Sequence, residues 1–321
     1  MTTHTRSVKF GDNNVNCNNT IGSHNITIYS SDEDVNIMHW LSPLEPDNRH
    51  HSVRAERFEG VGDWLLETRE FREWRGDKGR ADQAVLFCSG DPGVGKTHLR
   101  YDKWQDSFKQ MSLTARNTSS LVIDRLCDRA QEEDIAIAWL YCDYNVQQEQ
   151  TAINIIGAIV KQLVGRNGIP QDIRSAFLAA KKVGGRRPLL TDLMRMLRIV
   201  IASPPQVFVC IDALDECLPK DLPQLLESLR DIVRESLGTR IILTGRPHVA
   251  EAIQKYITKV VTIPISPKED DIRNYVVMRL DRDDISGAMD DGLRAEIVRI
   301  ILDKMSNMCV GVSPLPIMYT Y

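Results

Sequence analysis

One stretch of eight residues matches the pattern G-x-x-x-x-G-K-[ST] in full. It reads Gly90-Asp91-Pro92-Gly93-Val94-Gly95-Lys96-Thr97. Glycines let a backbone curl so that successive N–H groups point at a phosphate, and a helix N-terminus adds partial positive charge. An apolar run precedes the motif and a helical pattern follows it, as a phosphate-binding loop requires. We expect Lys96 to reach the β- and γ-phosphates of a nucleotide and the Thr97 hydroxyl to ligate Mg²⁺. The residues expected to contact the nucleotide are Gly90, Gly93, Val94, Gly95, Lys96 and Thr97.

A second motif places acids directly after a buried strand. The apolar run Val207–Ile211 is followed by Asp212, and Asp215 and Glu216 come three and four residues later. Acids after a strand are often helix caps, so the motif is weak alone, but beside a phosphate-binding loop it becomes specific. Ligands of α/β proteins bind where parallel strands end, so Asp212 is expected to hold Mg²⁺. Asp215 or Glu216 is expected to orient or deprotonate an attacking water.

A third motif is the run Ile241-Ile242-Leu243-Thr244-Gly245-Arg246-Pro247. Its strand would deliver Thr244 and Arg246 to the same edge of the sheet. Arg246 is then a candidate sensor of the γ-phosphate, because a guanidinium suits phosphate oxygens. The alternative is a surface arginine in a turn before a helix.

Other catalytic patterns are missing from the sequence. G-x-S-x-G, H-E-x-x-H and the guanine-reading N-K-x-D do not occur. The last absence favours adenine, so ATP or ADP with Mg²⁺ is the expected cofactor. His50 and His51 lie in a polar stretch and are expected to be solvated rather than metal-bound.

The elements that position these motifs alternate along the chain. Runs of strand length alternate with amphipathic segments, which indicates a parallel sheet covered by helices on both faces. The predicted strands are Ala84–Cys88, Ile135–Tyr141, Val207–Ile211, Arg240–Leu243 and Val260–Ile265. The predicted helices between them include Asn154–Val164, Leu189–Ile201 and Pro223–Leu237, and a small helical appendage follows at Asp270–Leu280 and Leu293–Met305.

The chain before the first strand has two parts. Residues 1–36 are polar and rich in asparagine, and we expect disorder there. A self-associating β-segment over Val8–Ser31 is the alternative, since Asn mixes there with β-branched residues. Further on, Asp63 can cap a helix that carries Trp64, Leu65, Phe71 and Trp74 on one face. This face is expected to dock on the main domain, with adenine contact as the alternative.

Composition limits the classes of partner. The 321 residues carry a formal net charge of −4, with 42% hydrophobic and 26% charged residues. This balance lacks the basic excess of a nucleic-acid-binding protein, and no apolar run is long enough to cross a bilayer. The seven cysteines are scattered without a C-x-x-C pair, which is typical of buried thiols in a reducing compartment. We expect a soluble cytoplasmic protein whose partners are a nucleotide and copies of itself, without nucleic acid or membrane.

The motifs in this order resemble the NACHT class of signal-transducing ATPases with numerous domains, to which NOD-like receptors belong. Three further runs resemble fungal members, in which this unit is called the nephrocystin 3-like N-terminal domain. They are Trp40-Leu41-Ser42-Pro43-Leu44-Glu45-Pro46, Gly62-Asp63-Trp64-Leu65-Leu66-Glu67-Thr68-Arg69-Glu70-Phe71 and Trp139-Leu140-Tyr141-Cys142-Asp143-Tyr144. The resemblance covers residues 37–308. It implies an α/β P-loop NTPase fold with a five-stranded parallel sheet of order 5-1-4-3-2. It also implies an ATP/ADP switch that gates oligomerisation, with at most slow hydrolysis.

Composition and the predicted elements also set expected domain boundaries. These are a leader at 1–36, a linker and N-terminal helix at 37–83, a nucleotide-binding domain at 84–266, a helical subdomain at 267–308 and a tail at 309–321. The family normally continues into a winged helix and a repeat array, and we expect this chain, whose last residue is Tyr321, to lack both.

An interruption follows the phosphate-binding loop at Arg100–Thr118. Deleting it joins Leu99 to Ser119 and restores the run that the resemblance leads us to expect. The codons permit a splice donor at Arg100 and an acceptor at Ser119, with removal in frame. We therefore predict that Arg100–Thr118 is translated intron and packs poorly against the domain. We expect a similar read-through at Gly311-Val312-Ser313-Pro314. A tolerated surface insertion is the alternative, because long loops cost little closure entropy.

Three functions compete. The first is the nucleotide-dependent signalling switch. The second is a truncated, non-enzymatic binding module that lacks the sensor. The third is a small-molecule kinase, for which the sequence offers no recognisable lid or acceptor site.

Overall fold

The computed structural model describes residues 32–57, 60–76, 84–90, 113–266, 268–282 and 291–309. The strands are β1 (Val85–Gly90), β2 (Ile135–Tyr141), β3 (Gln206–Asp212), β4 (Thr239–Gly245) and β5 (Val260–Ile265). The helices before β3 are α1 (Asp32–Leu41), α2 (Pro46–Glu56), α3 (Trp64–Glu67), α4 (Arg69–Arg75), α5 (Leu113–Glu132), α6 (Ala152–Asn167), α7 (Gln171–Lys182) and α8 (Leu190–Ile201). Those after it are α9 (Leu222–Glu235), α10 (Ala250–Tyr256), α11 (Glu269–Arg282) and α12 (Asp291–Cys309).

The five strands form one parallel sheet. Their order is β2-β3-β4-β1-β5, which is the predicted order 5-1-4-3-2 read from the other edge. Every neighbouring pair is parallel, and Cys88 of β1 lies opposite Thr244 of β4. Tyr141 and Asp212 are register partners at the ends of β2 and β3. The α/β P-loop fold expected from the sequence is confirmed.

The strands are apolar because both faces of the sheet are covered. All seven residues of β2 and of β3 are buried. Successive side chains alternate between faces. Phe87, Ala138 and Val209 therefore enter one core, while Leu86 and Phe208 enter the other. A continuous apolar run is the sequence signature of such a doubly covered strand.

Helix α1 and the turn after it pack onto α6. A Cβ at Gly157 of α6 would stand 2.2 Å from the carbonyl oxygen of Leu41, so only glycine permits this approach. The Ser42 hydroxyl donates to the carbonyl of Asn154 at 2.8 Å. Lys161 donates to the carbonyl of Leu44 at 3.1 Å and pairs with Glu45 at 2.6 Å. The Trp40–Pro46 run therefore anchors the N-terminal helices to the domain.

The predicted helix over Trp64–Trp74 is two short helices instead of one. The break falls at Thr68, whose hydroxyl accepts from the N–H of Phe71 and caps α4. Asp63 makes no side-chain cap hydrogen bond, so that prediction was wrong. Phe71 and Trp74 are fully buried against the sheet, and the Trp74 indole donates to the carbonyl of Ala84 at 3.2 Å. This is the docking role expected of the stripe.

Other boundaries also differ from the prediction. Helix α1 begins at Asp32, inside the predicted leader, and residues 1–31 lie outside the described part of the chain. Helices α1, α2 and α7 were not predicted. The sequence of α2 reads as polar because its buried side chains include a histidine. In α1, likewise, the buried side chains include the charged Asp34, which pairs with Arg174.

Two helices, α11 and α12, follow the sheet where the helical appendage was expected. Asp271 of α11 accepts a long hydrogen bond, 3.4 Å, from the N–H of Gly62. Residues 310–321, with the predicted read-through at Gly311–Pro314, lie outside the described residues. Within the part of the chain that is described, no helix combines the length and apolar character needed to cross a membrane.

Candidate nucleotide site at the carboxyl edge of the sheet

The predicted site residues that the structure describes converge on the edge where the parallel strands end. Gly90 ends β1, Asp212 ends β3 and Gly245 ends β4, which lies between them. The rest of the phosphate-binding loop falls outside the described residues. This applies to Gly93, Val94, Gly95, Lys96 and Thr97, whose roles stay predictions.

Asp212 is held by hydroxyl groups. The residue is 2% exposed, and its Oδ1 accepts from Thr244 Oγ1 at 2.6 Å. Oδ1 also accepts from the hydroxyl of Ser119 on α5. The Thr244 hydroxyl in turn accepts from the N–H of Ala213 at 2.9 Å. Thr244 thus locks the acid to the backbone that follows it, which fixes where the carboxylate points.

Asp215 and Arg246 are bound to each other. Arg246 Nε lies 3.0 Å from Asp215 Oδ2, and the Arg246 N–H donates to Asp215 Oδ1 at 3.2 Å. The Asp215 side chain is 8% exposed and the Arg246 side chain 41%. A Cβ at Gly245 would stand 3.3 Å from Asp215 Oδ1, so glycine lets the two motifs meet closely. The sequence predicted both residues at this edge, but not that they would pair.

Glu216 is engaged by a different segment. Its Oε2 accepts from the N–H of Tyr144 at 2.9 Å, in the loop after β2. The neighbouring Asp143 pairs with Arg49 of α2 at 2.9 Å. Asp215 and Glu216 both lie in a single 3₁₀ turn, Leu214–Glu216, and this turn is therefore fixed on one side to β4 and on the other to the β2 loop.

A cluster around His50 lies next to this edge and was not predicted. His50 was expected to be solvated, but it is 7% exposed. Its Nδ1 lies 2.8 Å from Tyr141 Oη and its Nε2 3.1 Å from Asp124 Oδ1. The His50 ring can be buried because both of its nitrogens have hydrogen-bond partners. His50 and Val53 are both buried on one face of α2. Their three-residue spacing was the only signal in the sequence that His50 would be buried.

The charge of Asp124 stabilises that cluster. Burial raises the pKa of the Asp124 carboxyl. The hydrogen bond with His50 and the charges of Arg57 and Arg54 together lower this pKa by more than burial raises it, so the net shift is downward. Arg57 lies 2.6 Å from Asp124 Oδ2 and also donates to the Ser120 hydroxyl at 3.2 Å. An ionised Asp124 can only accept a hydrogen bond, so His50 Nε2 carries a proton.

Two thiols, one after β2 and one after the Leu214–Glu216 turn, also meet near this edge. Cys142 Sγ lies 3.1 Å from Cys217 Sγ, and the Cys142 N–H donates to the carbonyl of Asp212 at 3.0 Å. The contact with Cys217 and burial both raise the pKa of the Cys142 thiol, and Asp212 raises it further. Burial likewise raises the pKa of the Cys88 thiol to about 12. The cysteines whose side chains are described are buried free thiols.

The turn around Gly62 directly precedes the Trp64–Trp74 face, for which adenine contact was the alternative. Gly60 and Gly62 have φ of 78° and 89°, a left-handed backbone that favours glycine. A Cβ at Gly62 would stand 3.0 Å from Thr118 Oγ1 of α5. Lys268 Nζ lies 4.8 Å from the ring centroid of Trp64. The turn therefore joins α5 to the start of the helical subdomain.

The predicted insertion overlaps α5. Residues 113–118 lie in this helix and Thr118 is 1% exposed, so the prediction of poor packing does not hold at Thr118. Residues 100–112 lie outside the described part of the chain. The intron itself stays a prediction.

Comparison with known families decides the membership of the chain. The sequence profile described as "Nephrocystin 3, N-terminal" matches residues 60–110 and 117–246, more than half of the chain. The chain belongs to this family. The match contains residues 100–110 of the predicted insertion and breaks between 110 and 117.

A curated relative is the vegetative incompatibility protein HET-E-1 of Podospora anserina. It is 26% identical over 220 residues, which is 65% of this chain and 14% of that protein. The chain thus spans only a small part of the relative's length.

Solved structures match much of the chain at low similarity. A Walker-type ATPase of Pyrococcus abyssi has a TM-score of 0.43 at 15% identity, over 76% of this chain and 64% of its own. The ORC1 protein of Aeropyrum pernix in complex with DNA has a TM-score of 0.40 at 12% identity, over 88% and 65%. Neither likeness bears on function.

Proposed function

We propose that this chain is the nucleotide-binding unit of a NACHT-type signalling switch. In this proposal it binds ATP or ADP with Mg²⁺, and the bound nucleotide gates self-association. The observation that carries the proposal is a convergence of side chains on the strand edge where the G-x-x-x-x-G-K-T motif begins. The buried Asp212 and Thr244 and the partly exposed Arg246 all lie there. The family membership and the resemblance to fungal sequences support it, and the setting we propose is fungal innate-immune or incompatibility signalling.

The residues at this edge fit a magnesium ion. Mg²⁺ prefers oxygen ligands and is held in nucleotide sites by one or two carboxylates or hydroxyls beside the phosphates. Asp212 offers a buried carboxylate whose direction is fixed by Thr244. Thr97 would supply the hydroxyl ligand, and Lys96 with the loop N–H groups from Gly90 onward would hold the phosphates. When bound, the ion would neutralise phosphate charge during hydrolysis.

Arg246 gives the site a means of reading the nucleotide. Its guanidinium is partly exposed while its partner Asp215 is buried. An incoming γ-phosphate competes with Asp215 for the guanidinium, because both are anionic acceptors. We propose that the Arg246–Asp215 pair represents the resting arrangement, and that ATP, unlike ADP, draws Arg246 toward the phosphate. Movement of Arg246 would then free Asp215 to orient a water.

A binding module that does not hydrolyse ATP is the second candidate. The observation that favours it is that both candidate catalytic acids are already engaged, Asp215 by Arg246 and Glu216 by Tyr144. If nucleotide does not displace these contacts, the chain binds ATP without turning it over. Hydrolysis measured at saturating ATP separates the two candidates.

Nucleotide binding itself is tested by thermal unfolding with Mg²⁺ and ATP or ADP. At a nucleotide concentration about a thousand times Kd, binding should stabilise the fold by about 4 kcal/mol. Lys96→Ala should remove this stabilisation, since it deletes the charge expected on the phosphates. Lys181→Ala, at an exposed position of α7, is the matched control and should keep it. Equal stabilisation of the Lys96 and Lys181 variants would overturn the assignment.

A further inference from the structure

Two buried thiols meet beside the acidic turn. Cys142 follows β2 and Cys217 follows the Leu214–Glu216 turn, 75 positions later in the chain, and their sulfurs are 3.1 Å apart. A disulfide needs a sulfur–sulfur distance of about 2.05 Å, so the two atoms are about 1 Å from bonding distance. We propose that Cys142 and Cys217 form a redox-active dithiol that a small hydroperoxide oxidises to a reversible disulfide.

The surroundings of the pair favour closure without a large rearrangement. The Cys142 N–H is already bonded to the carbonyl of Asp212, and the Cys217 N–H to the carbonyl of Leu214. The bond from the Tyr144 N–H to Glu216 holds the turn against the segment that carries Cys142. Backbone on both sides of the pair is therefore positioned before oxidation.

The order of the reaction follows from exposure. Cys217 is 6% exposed and Cys142 is 1% exposed, so a small hydroperoxide reaches Cys217 first. The Cys217 sulfur attacks a peroxide oxygen, the O–O bond breaks, and a sulfenic acid and water form. The Cys142 sulfur then attacks the Cys217 sulfur, the S–O bond breaks and a second water leaves with the Cys142 proton. Two thiols and one hydrogen peroxide thus become one disulfide and two waters. A dithiol reductant reverses the change by thiol–disulfide exchange.

The disulfide would fix the position of the candidate catalytic acids. Asp215 and Glu216 immediately precede Cys217, so the bond ties their turn covalently to the end of β2. If Arg246 has to leave Asp215 when ATP binds, a fixed turn slows that exchange. This consequence for nucleotide turnover rests on the proposed function, whereas formation of the disulfide does not.

The test uses the full chain treated with hydrogen peroxide, alkylated and digested for mass spectrometry. We expect a peptide pair cross-linked through Cys142 and Cys217 that disappears after dithiothreitol. We also expect the oxidised chain to melt roughly 5–15 °C higher, because the cross-link constrains a long loop of the unfolded state. Recovery of Cys142 in alkylated form while Cys217 is over-oxidised would overturn the proposal.

Variants make the readout specific. Cys142→Ser and Cys217→Ser should each lose both the cross-link and the rise in Tm. Cys88→Ser, which alters a buried thiol in the opposite core, should keep both. If a variant fails to fold, peptide mapping of the wild-type chain still decides the matter. None of these measurements requires nucleotide, so they fail or succeed independently of the proposed function.

Discussion

Thr244 joins the candidate magnesium acid to its backbone, and its removal should have a measurable cost. The substitution Thr244→Val keeps the shape of the side chain and deletes the hydroxyl. Two hydrogen bonds are lost, the 2.6 Å bond to Asp212 and the 2.9 Å bond from the Ala213 N–H. The Ala213 N–H is part-buried, so leaving it without a partner costs toward the lower end of the roughly 1–3 kcal/mol of a buried group. A hydrogen bond to a charged group contributes about 1.5–3 kcal/mol. Ser119 still donates to Asp212, which limits the loss.

We therefore expect Thr244→Val to lower the free energy of unfolding by about 2–4 kcal/mol. Thr244→Ser keeps the hydroxyl and loses only a buried methyl group, at a cost of about 1 kcal/mol. Urea unfolding of both variants beside the wild type measures the difference, provided that the m-values agree. If the Val variant is as stable as the Ser variant, the hydroxyl does not hold Asp212 in the way described.

Three further predictions follow from the site and its surroundings. Replacing Asp215 and Glu216 with Asn and Gln should slow hydrolysis while ATP remains bound, because the loop that holds the phosphates is untouched; wild-type turnover in this double variant would make the acids structural only. The folded-state pKa of Asp124 is lowered, so its contribution to stability is present above about pH 4 and is lost as the pH falls through the lower folded-state value. Asp124→Asn should therefore be less stable than the wild type at pH 7 and show a shallower loss in acid unfolding, whereas parallel curves would refute this role. If Arg100–Thr118 is translated intron, the major mature transcript should lack those codons, and a major transcript that retains them would end that hypothesis.

Much of the fold was readable from the sequence because burial on both faces leaves an unambiguous apolar signature. The run Ile135–Tyr141 was predicted with the bounds that the structure shows, since all its residues are buried. The two-helix break at Thr68 was missed because periodicity alone continues through a residue that can serve as a cap. Helix α2 was missed because its buried face presents His50, which reads as polar in a sequence.

The site could be predicted only as a set of positions along the chain. Strand topology brings Asp212 and Arg246 to one edge, and the motifs imply as much. Which side chain each acid contacts depends on loop geometry that no motif encodes. The pairing of Asp215 with Arg246 joins residues 31 positions apart, and the approach depends on the missing side chain of Gly245. The contact between Cys142 and Cys217 has the same origin, because it joins two loops at the sheet edge.

The claim that nucleotide state gates self-association is tested most directly by the mass of the particle in solution. Purified chain with Mg²⁺ is measured by light scattering after size exclusion, with ATP, with ADP and without nucleotide. We predict a larger assembly with ATP than with ADP, and the loss of this difference in Lys96→Ala but not in Lys181→Ala. The same mass in all three conditions, at a nucleotide concentration that stabilises the fold, would contradict the account.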